Sequence, residues 1–82
     1  MRGSHAIFDF YNAEQVKLER ADRLKDSLER VFKEASFAIE KDMYYQFEPM
    51  GVTATLISKE CQLSIHTWPE HCSFTVDFYS AQ

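Results

Sequence analysis

The segment GVTATLISKECQLSIHTWPE, which runs from Gly51 to Glu70, carries the strongest structural signal in this chain. Two runs within it, residues 52–58 and 62–68, are rich in β-branched and apolar side chains that alternate with polar ones, as in a half-buried strand. Only Lys59 to Cys61 connect the two runs, and so short a connection is typical of a hairpin. We therefore predict two neighbouring antiparallel strands in this segment.

Three further segments predict strands on either side of this hairpin. Residues 5–11 alternate between two faces, and residues 37–47 and 73–79 are rich in aromatic and β-branched side chains. Residues 48–51 have the composition of a turn, and residues 69–72 form the last connection.

One helix is predicted between the first two strands. Asn12 and Gln15 have the spacing of a capping pair that begins a helix. An apolar stripe then recurs at helical spacing, formed by Leu24, Leu28, Val31, Phe32 and Ala35. The element order β-α-β-β-β predicts an α+β fold, in which an antiparallel β-sheet carries one main amphipathic helix on one face.

Composition indicates a single small domain over residues 1–82, with 45% hydrophobic residues and only two glycines and two prolines. The net charge of −4 argues against nucleic acid or an anionic membrane as the main partner. No apolar run approaches the ~20 residues that span a bilayer, and no signal peptide is recognisable, so we predict a cytoplasmic protein. One helix covers only part of a five-stranded sheet, which predicts a homodimer or a higher oligomer.

The two cysteines, Cys61 and Cys72, are too few for a disulfide framework. Together with His66 and His71 they are candidate metal ligands. Their spacing contains neither a Cys-x-x-Cys pair nor two histidines four residues apart on a helix. We therefore predict no metal site.

The second strand of the hairpin brings chemically active side chains together. Period two predicts one face made of Gln62, Ser64, His66 and Trp68, and an opposite face made of Leu63, Ile65 and Thr67. Cys61 stands at the start of this strand beside Glu60, and Thr53 could approach His66 across the hairpin. A thiol, a histidine and a hydroxyl suggest a nucleophile, a base and a helper. The alternative is that Cys61 is simply a small buried apolar residue.

Three segments together resemble the bacterial-type S-adenosylmethionine decarboxylase proenzymes. They are the Gly3-x-His5 element, the run QFEPMGV at residues 46–52, and SIHTWPE at residues 64–70. In that family the run from Gly51 reads roughly G-V-[ST]-x-x-x-x-[IL]-x-E-S-H-x-[ST]-I-H-T-W-P-E. The resemblance covers nearly the whole chain. It implies a two-layer sandwich that dimerises, with active sites shared between protomers, and a role in polyamine (spermidine) biosynthesis.

The resemblance also implies roles for individual residues. Cys61 takes the position of the serine that becomes a pyruvoyl group, with Glu60 on the other side of the cleaved bond. Thr53 and His66 match the residues that assist this self-processing. Phe47 matches the aromatic residue that stacks on the adenine of the substrate, and Glu70 matches the acid that holds the ribose hydroxyls; a π-face and a carboxylate suit these tasks.

The chemistry that the resemblance implies is decarboxylation of S-adenosylmethionine or a related amine. A side-chain nucleophile attacks the preceding carbonyl, the backbone amide becomes an ester, and elimination with loss of ammonia leaves the pyruvoyl cofactor. The pyruvoyl carbonyl then serves as an electron sink while carbon dioxide leaves.

Four departures from the family pattern bear on the chemistry or the extent of the fold. Cys61 replaces the serine, and Gln62 replaces the usual histidine. The family's Thr-Cys-Gly in the last strand, which supplies a cysteine as proton donor, corresponds here to Ser80, Ala81 and Gln82. The usual C-terminal helix and strand are expected to be lacking.

Three hypotheses follow from the agreement and the departures. The first is a self-cleaving decarboxylase that is cut between Glu60 and Cys61. The second is a non-processing pseudoenzyme, or a regulatory or structural subunit, that keeps the fold and the adenosyl-binding positions. The third is a cysteine-nucleophile enzyme of another class with His66 as the base.

Overall fold

A computed structural model describes residues 3–81. The strands are β1 (Gly3–Phe10), β2 (Lys41–Gln46), β3 (Val52–Ile57), β4 (Cys61–Trp68) and β5 (Ser73–Ala81). Two helices, α1 (Gln15–Leu18) and α2 (Ala21–Glu34), lie between β1 and β2, and a 3₁₀ turn (Pro69–His71) precedes β5. All five strands form one antiparallel sheet in the order β1-β5-β4-β3-β2. The predicted α+β architecture and the predicted hairpin are confirmed.

Helix α2 packs on one face of the sheet and closes the core there. Its buried positions are Leu24, Leu28 and Phe32, which recur at helical spacing and meet the inward side chains of β3 and β4. Val52, Ala54 and Leu56 alternate with exposed or half-buried neighbours along β3, so they form the floor of this core. The apolar stripe predicted from the sequence is therefore confirmed at these three helical positions.

Two members of the predicted stripe lie outside the core. Val31 is 56% exposed, and Ala35 is exposed as well. Helix α2 leaves the β1–β5 side of the sheet uncovered, and Val31 borders an apolar groove of about 470 Å³ there. Phe8 and Phe74 also line this groove, which explains why Phe8 is 49% exposed although it faces the helix layer.

The capping pair predicted a helix that starts at Asn12, and this prediction is wrong. Asn12 has a left-handed φ of 63°, and α1 begins after Glu14 without a side-chain cap. The segment is also broken, with Arg20 in an extended conformation before α2. The Glu19 carbonyl accepts the Gly51 N–H at 3.0 Å, so this carbonyl is engaged by the β2–β3 loop. A tertiary contact therefore outweighs local helix propensity at this point.

The face of the sheet opposite α2 carries no helix within residues 3–81. The side chains at alternate positions of the strands project from it, among them several large apolar ones. Ile7, Met43 and Tyr45 are 64%, 61% and 58% exposed. We call this surface the open face.

No helix among residues 3–81 combines the length and the apolarity that crossing a membrane requires.

Candidate functional site

A cleft of about 400 Å³ opens where β3 begins and β4 ends. It is lined by Phe47, Met50, Gly51, Thr53, His66, Thr67, Trp68 and Glu70. Four of the six residues predicted from the sequence therefore share one concave site, within the size range of ordinary ligand pockets. Residues 3–81 contain no group of three or more His, Cys, Asp or Glu side chains arranged to hold a metal ion.

Thr53 and His66 form the polar centre of the cleft. They are directly opposite each other in the β3–β4 ladder, and Thr53 Oγ1 lies 3.0 Å from His66 Nδ1. Directly opposed residues of an antiparallel pair project to the same face, so the hairpin register alone makes this contact. The proximity that we predicted across the hairpin is confirmed. With Nδ1 engaged by the hydroxyl, Nε2 is the ring nitrogen available to a ligand or a proton.

Aromatic side chains form the walls of the cleft. Phe47 is 47% exposed and packs edge-to-face on Tyr45, with ring centroids 4.8 Å apart. Trp68 is 42% exposed, and its ring centroid lies 6.2 Å from that of His66. An exposed aromatic face on each side suits a planar ligand. Glu70 is exposed at the rim, in the 3₁₀ turn that follows β4.

Gly51 shapes the entrance of the cleft. Its φ of 111° lies in the region that favours glycine, and its carbonyl accepts the Phe47 N–H at 2.8 Å. Gln46 secures the same loop, because its side-chain amide donates to the Gly51 carbonyl and to the Glu19 carbonyl, both at 2.9 Å. Its Oε1 accepts the Ala21 N–H at the start of α2. The loop that carries Phe47 is thereby tied to the helix layer.

Thr67 anchors the end of β4, the strand that carries Trp68 in the wall of the cleft. Its hydroxyl is buried, donates to the Leu18 carbonyl at 2.8 Å, and accepts the Val52 N–H at 2.8 Å. These bonds join the end of β4 to α1 and to the start of β3. The neighbouring residues His66 and Trp68, which point to the opposite face, are positioned on a strand that is anchored on both sides.

The structure does not bring Cys61 into this cleft. Cys61 starts β4, is only 4% exposed, and belongs to the core beneath α2. His66 lies five residues further along the same strand and projects to the open face, about 17 Å away at roughly 3.4 Å per residue. The thiol and the imidazole of one chain therefore do not touch. Glu60 is exposed in the hairpin turn next to Cys61.

Ser58 closes the turn that contains Glu60 and Cys61. Its Oγ accepts the amide N–H of Glu60 at 3.2 Å and that of Cys61 at 3.1 Å, and it lies 3.3 Å from Cys61 Sγ. The backbone N–H of Ser58 donates to the Cys61 carbonyl at 2.8 Å. The Ser58 side chain is buried with the thiol. The bond between Glu60 and Cys61 thus lies in a tight, well-defined turn.

Strand β5 runs antiparallel to β4, and its C-terminal end lies beside Cys61. Ser80 is the residue directly opposite Cys61, and the backbone of Ala81 pairs with Gly3, while Gln82 lies outside the described residues. Cys72 precedes the other end of β5, where Ser73 pairs with Trp68. Cys72 is therefore at the cleft end of the sheet and remote from Cys61.

Some residues that shape the cleft and the Glu60–Cys61 turn have no role predicted from the sequence. Trp68 was detectable, because period two placed it on the same face as His66. Met50 and Gly51 were predicted only as part of a turn, since nothing in the local sequence indicates that this turn lines a cleft. Ser58 was detectable as a departure, because the family pattern has Ile or Leu at its position.

Comparisons with known proteins agree with this geometry. A family profile described as S-adenosylmethionine decarboxylase matches residues 4–82. The S-adenosylmethionine decarboxylase proenzyme of Aquifex aeolicus is 38% identical over 78 residues, which are 95% of this chain and 58% of the relative. The corresponding proenzyme of a Sulfurihydrogenibium species is 33% identical over 95% of this chain and 59% of its own length.

A solved structure gives the same result for the fold. The crystal structure of the Aquifex aeolicus adenosylmethionine decarboxylase superposes with a TM-score of 0.89 at 36% identity. The match covers 98% of this chain and 66% of the other. The chain thus spans about three fifths of the length of the curated relatives it matches. From the profile, the sequence identity and the shared architecture together, the chain belongs to the S-adenosylmethionine decarboxylase family.

Proposed function

We propose that this protein is a self-processing S-adenosylmethionine decarboxylase of polyamine (spermidine) biosynthesis. One observation carries the proposal: Phe47, Thr53, His66 and Glu70, which match the family's substrate and processing positions, line a single cleft. Thr53 and His66 belong to the β3–β4 hairpin, and Phe47 and Glu70 come from the loop before it and the turn after it, so all four lie at one end of the sheet. The cytoplasmic location expected from the sequence stays a prediction.

The first chemical event is cleavage of the chain between Glu60 and Cys61. The Cys61 sulfur attacks the Glu60 carbonyl carbon, the bond from that carbon to the Cys61 nitrogen breaks, and the nitrogen takes the thiol proton. The product is a thioester with a free amine. Loss of the Cys61 α-proton and rupture of its Cβ–Sγ bond then release a thiocarboxylate on Glu60. One water replaces ammonia at Cys61, which leaves a pyruvoyl group on the downstream chain.

The residues at the turn fit this cofactor. The sulfur of Cys61 and the amide of the Glu60–Cys61 bond meet at one hydroxyl, that of Ser58, so the nucleophile is held beside the bond it must attack. The pyruvoyl group, once formed, supplies an electron sink for loss of carbon dioxide from the bound amino acid.

The cleft supplies binding for the rest of the substrate. The exposed face of Phe47 can stack on adenine, and Trp68 offers a second aromatic surface on the same cleft. Glu70 at the rim can accept hydrogen bonds from the two ribose hydroxyls. The Thr53–His66 pair offers a hydroxyl and an imidazole for proton transfer during processing.

We propose further that the working unit is a homodimer with two composite sites. Cys61 and His66 of one chain lie about 17 Å apart on opposite faces of β4, so one chain does not unite nucleophile and imidazole. The open face carries large exposed apolar side chains, which a second copy would cover. In such a pair, the Thr53–His66 unit of one copy acts on the backbone of residue 61 in the other during the later elimination, because the Cys61 side chain itself faces the helix layer and not the open face.

Intact-protein mass spectrometry tests the proposal directly. Purified wild-type protein should resolve into two fragments divided at Glu60–Cys61, with the downstream fragment bearing a pyruvoyl group instead of cysteine. Cys61→Ala should remain one species of full mass, because alanine offers no nucleophile. Cys61→Ser should be cut, because serine is the nucleophile of the family pattern.

The controls separate self-cleavage from contaminating proteolysis. A protease would leave an unmodified cysteine at the new N-terminus and would also cut the Cys61→Ala variant. A single uncut species of wild-type protein after prolonged incubation would overturn the proposed activity.

A further inference from the structure

Ser58 occupies an unusual position for a polar residue. It is 7% exposed beneath the sheet, where the family pattern has Ile or Leu and where an apolar side chain would pack in the core. A buried hydroxyl is retained without cost only when its hydrogen bonds are satisfied. Here all of its described hydrogen bonds go to the turn that contains the Glu60–Cys61 bond.

The Ser58 hydroxyl touches both atoms between which a proton must travel. Its Oγ lies 3.3 Å from Cys61 Sγ, the attacking atom, and 3.1 Å from Cys61 N, the atom that leaves the Glu60 carbonyl. No other described side chain contacts both atoms through a hydrogen bond. The imidazole of His66 in the same chain is too distant to do so.

We propose that Ser58 is a catalytic residue of chain cleavage that carries the proton from sulfur to nitrogen. As Sγ bonds to the Glu60 carbonyl carbon, the thiol proton passes to Ser58 Oγ. As the bond from that carbon to Cys61 N breaks, the hydroxyl proton of Ser58 passes to the nitrogen. One proton has moved from sulfur to nitrogen, one C–S bond has replaced one C–N bond, and no co-reactant is used.

This role rests on the proposed function, because it concerns the first step of the same self-cleavage. It deepens that function by assigning thioester formation to a residue of the same chain. The Thr53–His66 unit remains available for the later elimination. A purely structural role for Ser58, as a cap of the turn, makes a different prediction: deletion of the hydroxyl would weaken the fold and leave the rate per folded molecule unchanged.

The test measures thioester formation separately from pyruvoyl formation. Hydroxylamine cleaves a thioester, so fragments that appear only with hydroxylamine report the first step, and fragments that appear without it report complete processing. Wild type, Ser58→Ala, Ser58→Thr, Cys61→Ala and Ser64→Ala are freshly refolded and followed by mass spectrometry. Ser64→Ala is the matched control, because it removes a hydroxyl from the same hairpin that bonds Thr55 and does not contact Cys61. Circular dichroism verifies that each variant is folded during the assay.

We expect Ser58→Ala to slow thioester formation by about 100-fold or more, the usual contribution of a general acid–base group. Ser58→Thr keeps a hydroxyl and should stay within about tenfold of wild type, and Ser64→Ala should match wild type. An equal rate in folded Ser58→Ala, with Cys61→Ala uncut, would overturn the role of Ser58 and leave the proposed function intact. Wild-type fragments that appear only with hydroxylamine would overturn complete processing and leave Ser58 supported by its variants. No fragments under either condition would overturn both.

Discussion

Phe47 provides the sharpest test of the binding half of the proposal. Its side chain is 47% exposed in the cleft and rests on Tyr45. A phenylalanine offers roughly 200 Å² of surface, so about 90 Å² of Phe47 is open for contact with a ligand. At ~25 cal/mol per Å², complete coverage by adenine contributes about 2 kcal/mol. Phe47→Ala should therefore weaken binding by about 30-fold, and Phe47→Tyr by no more than about threefold.

The chain has a built-in reporter for this measurement. Trp68 is the only tryptophan in the sequence, and it lines the same cleft. Titration with S-adenosylmethionine, and with 5′-methylthioadenosine as a ligand that has no amine, should change its fluorescence. Using both ligands separates adenosine recognition from the chemistry at the amine.

The matched control is Tyr11→Ala, which removes an aromatic side chain that is 71% exposed and does not line the cleft. It should leave both dissociation constants unchanged. Wild-type affinity in Phe47→Ala for both ligands would refute the stacking role of Phe47. An equal loss in Tyr11→Ala would show that the effect is not specific to the cleft.

Three further predictions concern assembly, stability and pH. When Cys61→Ala and His66→Ala chains are unfolded together and refolded as a mixture, only the His66→Ala chain should be cut, because the other chain supplies the imidazole; absence of cutting would contradict a composite site. Gly51→Ala should lower the free energy of unfolding by about 1–3 kcal/mol in urea titrations, since its φ of 111° strains any other residue, and an unchanged midpoint would contradict this. Burial, with a smaller contribution from nearby carboxylates, raises the pKa of Tyr44 from 10.0 to about 12, so the folded state holds this proton more tightly than the unfolded state. The contribution of the protonated Tyr44 hydroxyl to folding stability is complete below pH 10 and is lost as the pH rises towards about 12. Thermal unfolding of Tyr44→Phe should not show this decline.

Tyr44 also illustrates a buried polar group without a described partner. Within residues 3–81, its hydroxyl is buried and has no hydrogen-bond partner. Removal of such a group relieves a desolvation penalty, so Tyr44→Phe should be neutral or more stable by about 1 kcal/mol at neutral pH. The folding stability of the Tyr44→Phe variant at neutral pH then serves as the reference for the alkaline measurements.

Much of the sheet and of the cleft could be predicted because both follow from local rules. Alternation with period two assigns each side chain of β4 to a face, and a short hairpin connection sets its register against β3. These two rules suffice to bring Thr53 opposite His66. They also place Trp68 beside His66 on the same face, so the polar and aromatic centre of the cleft is encoded within one continuous hairpin.

Long-range contacts decided the features that the sequence did not predict. The helix breaks before Arg20 because the Glu19 carbonyl bonds a loop more than thirty residues away, which no helical propensity anticipates. Val31 is exposed because α2 covers only part of the sheet, a matter of where the helix sits and not of its apolar period.

The same distinction applies to the chemistry. The pattern of residues predicts Cys61 as the position for cleavage, since a motif depends only on order along the chain. Tertiary structure alone reveals that Cys61 is buried at the end of the sheet remote from His66, and that the Ser58 hydroxyl meets both its sulfur and its nitrogen. Bond formation depends on distances of a few ångströms between atoms, and those distances arise only when the turn and the core close around them.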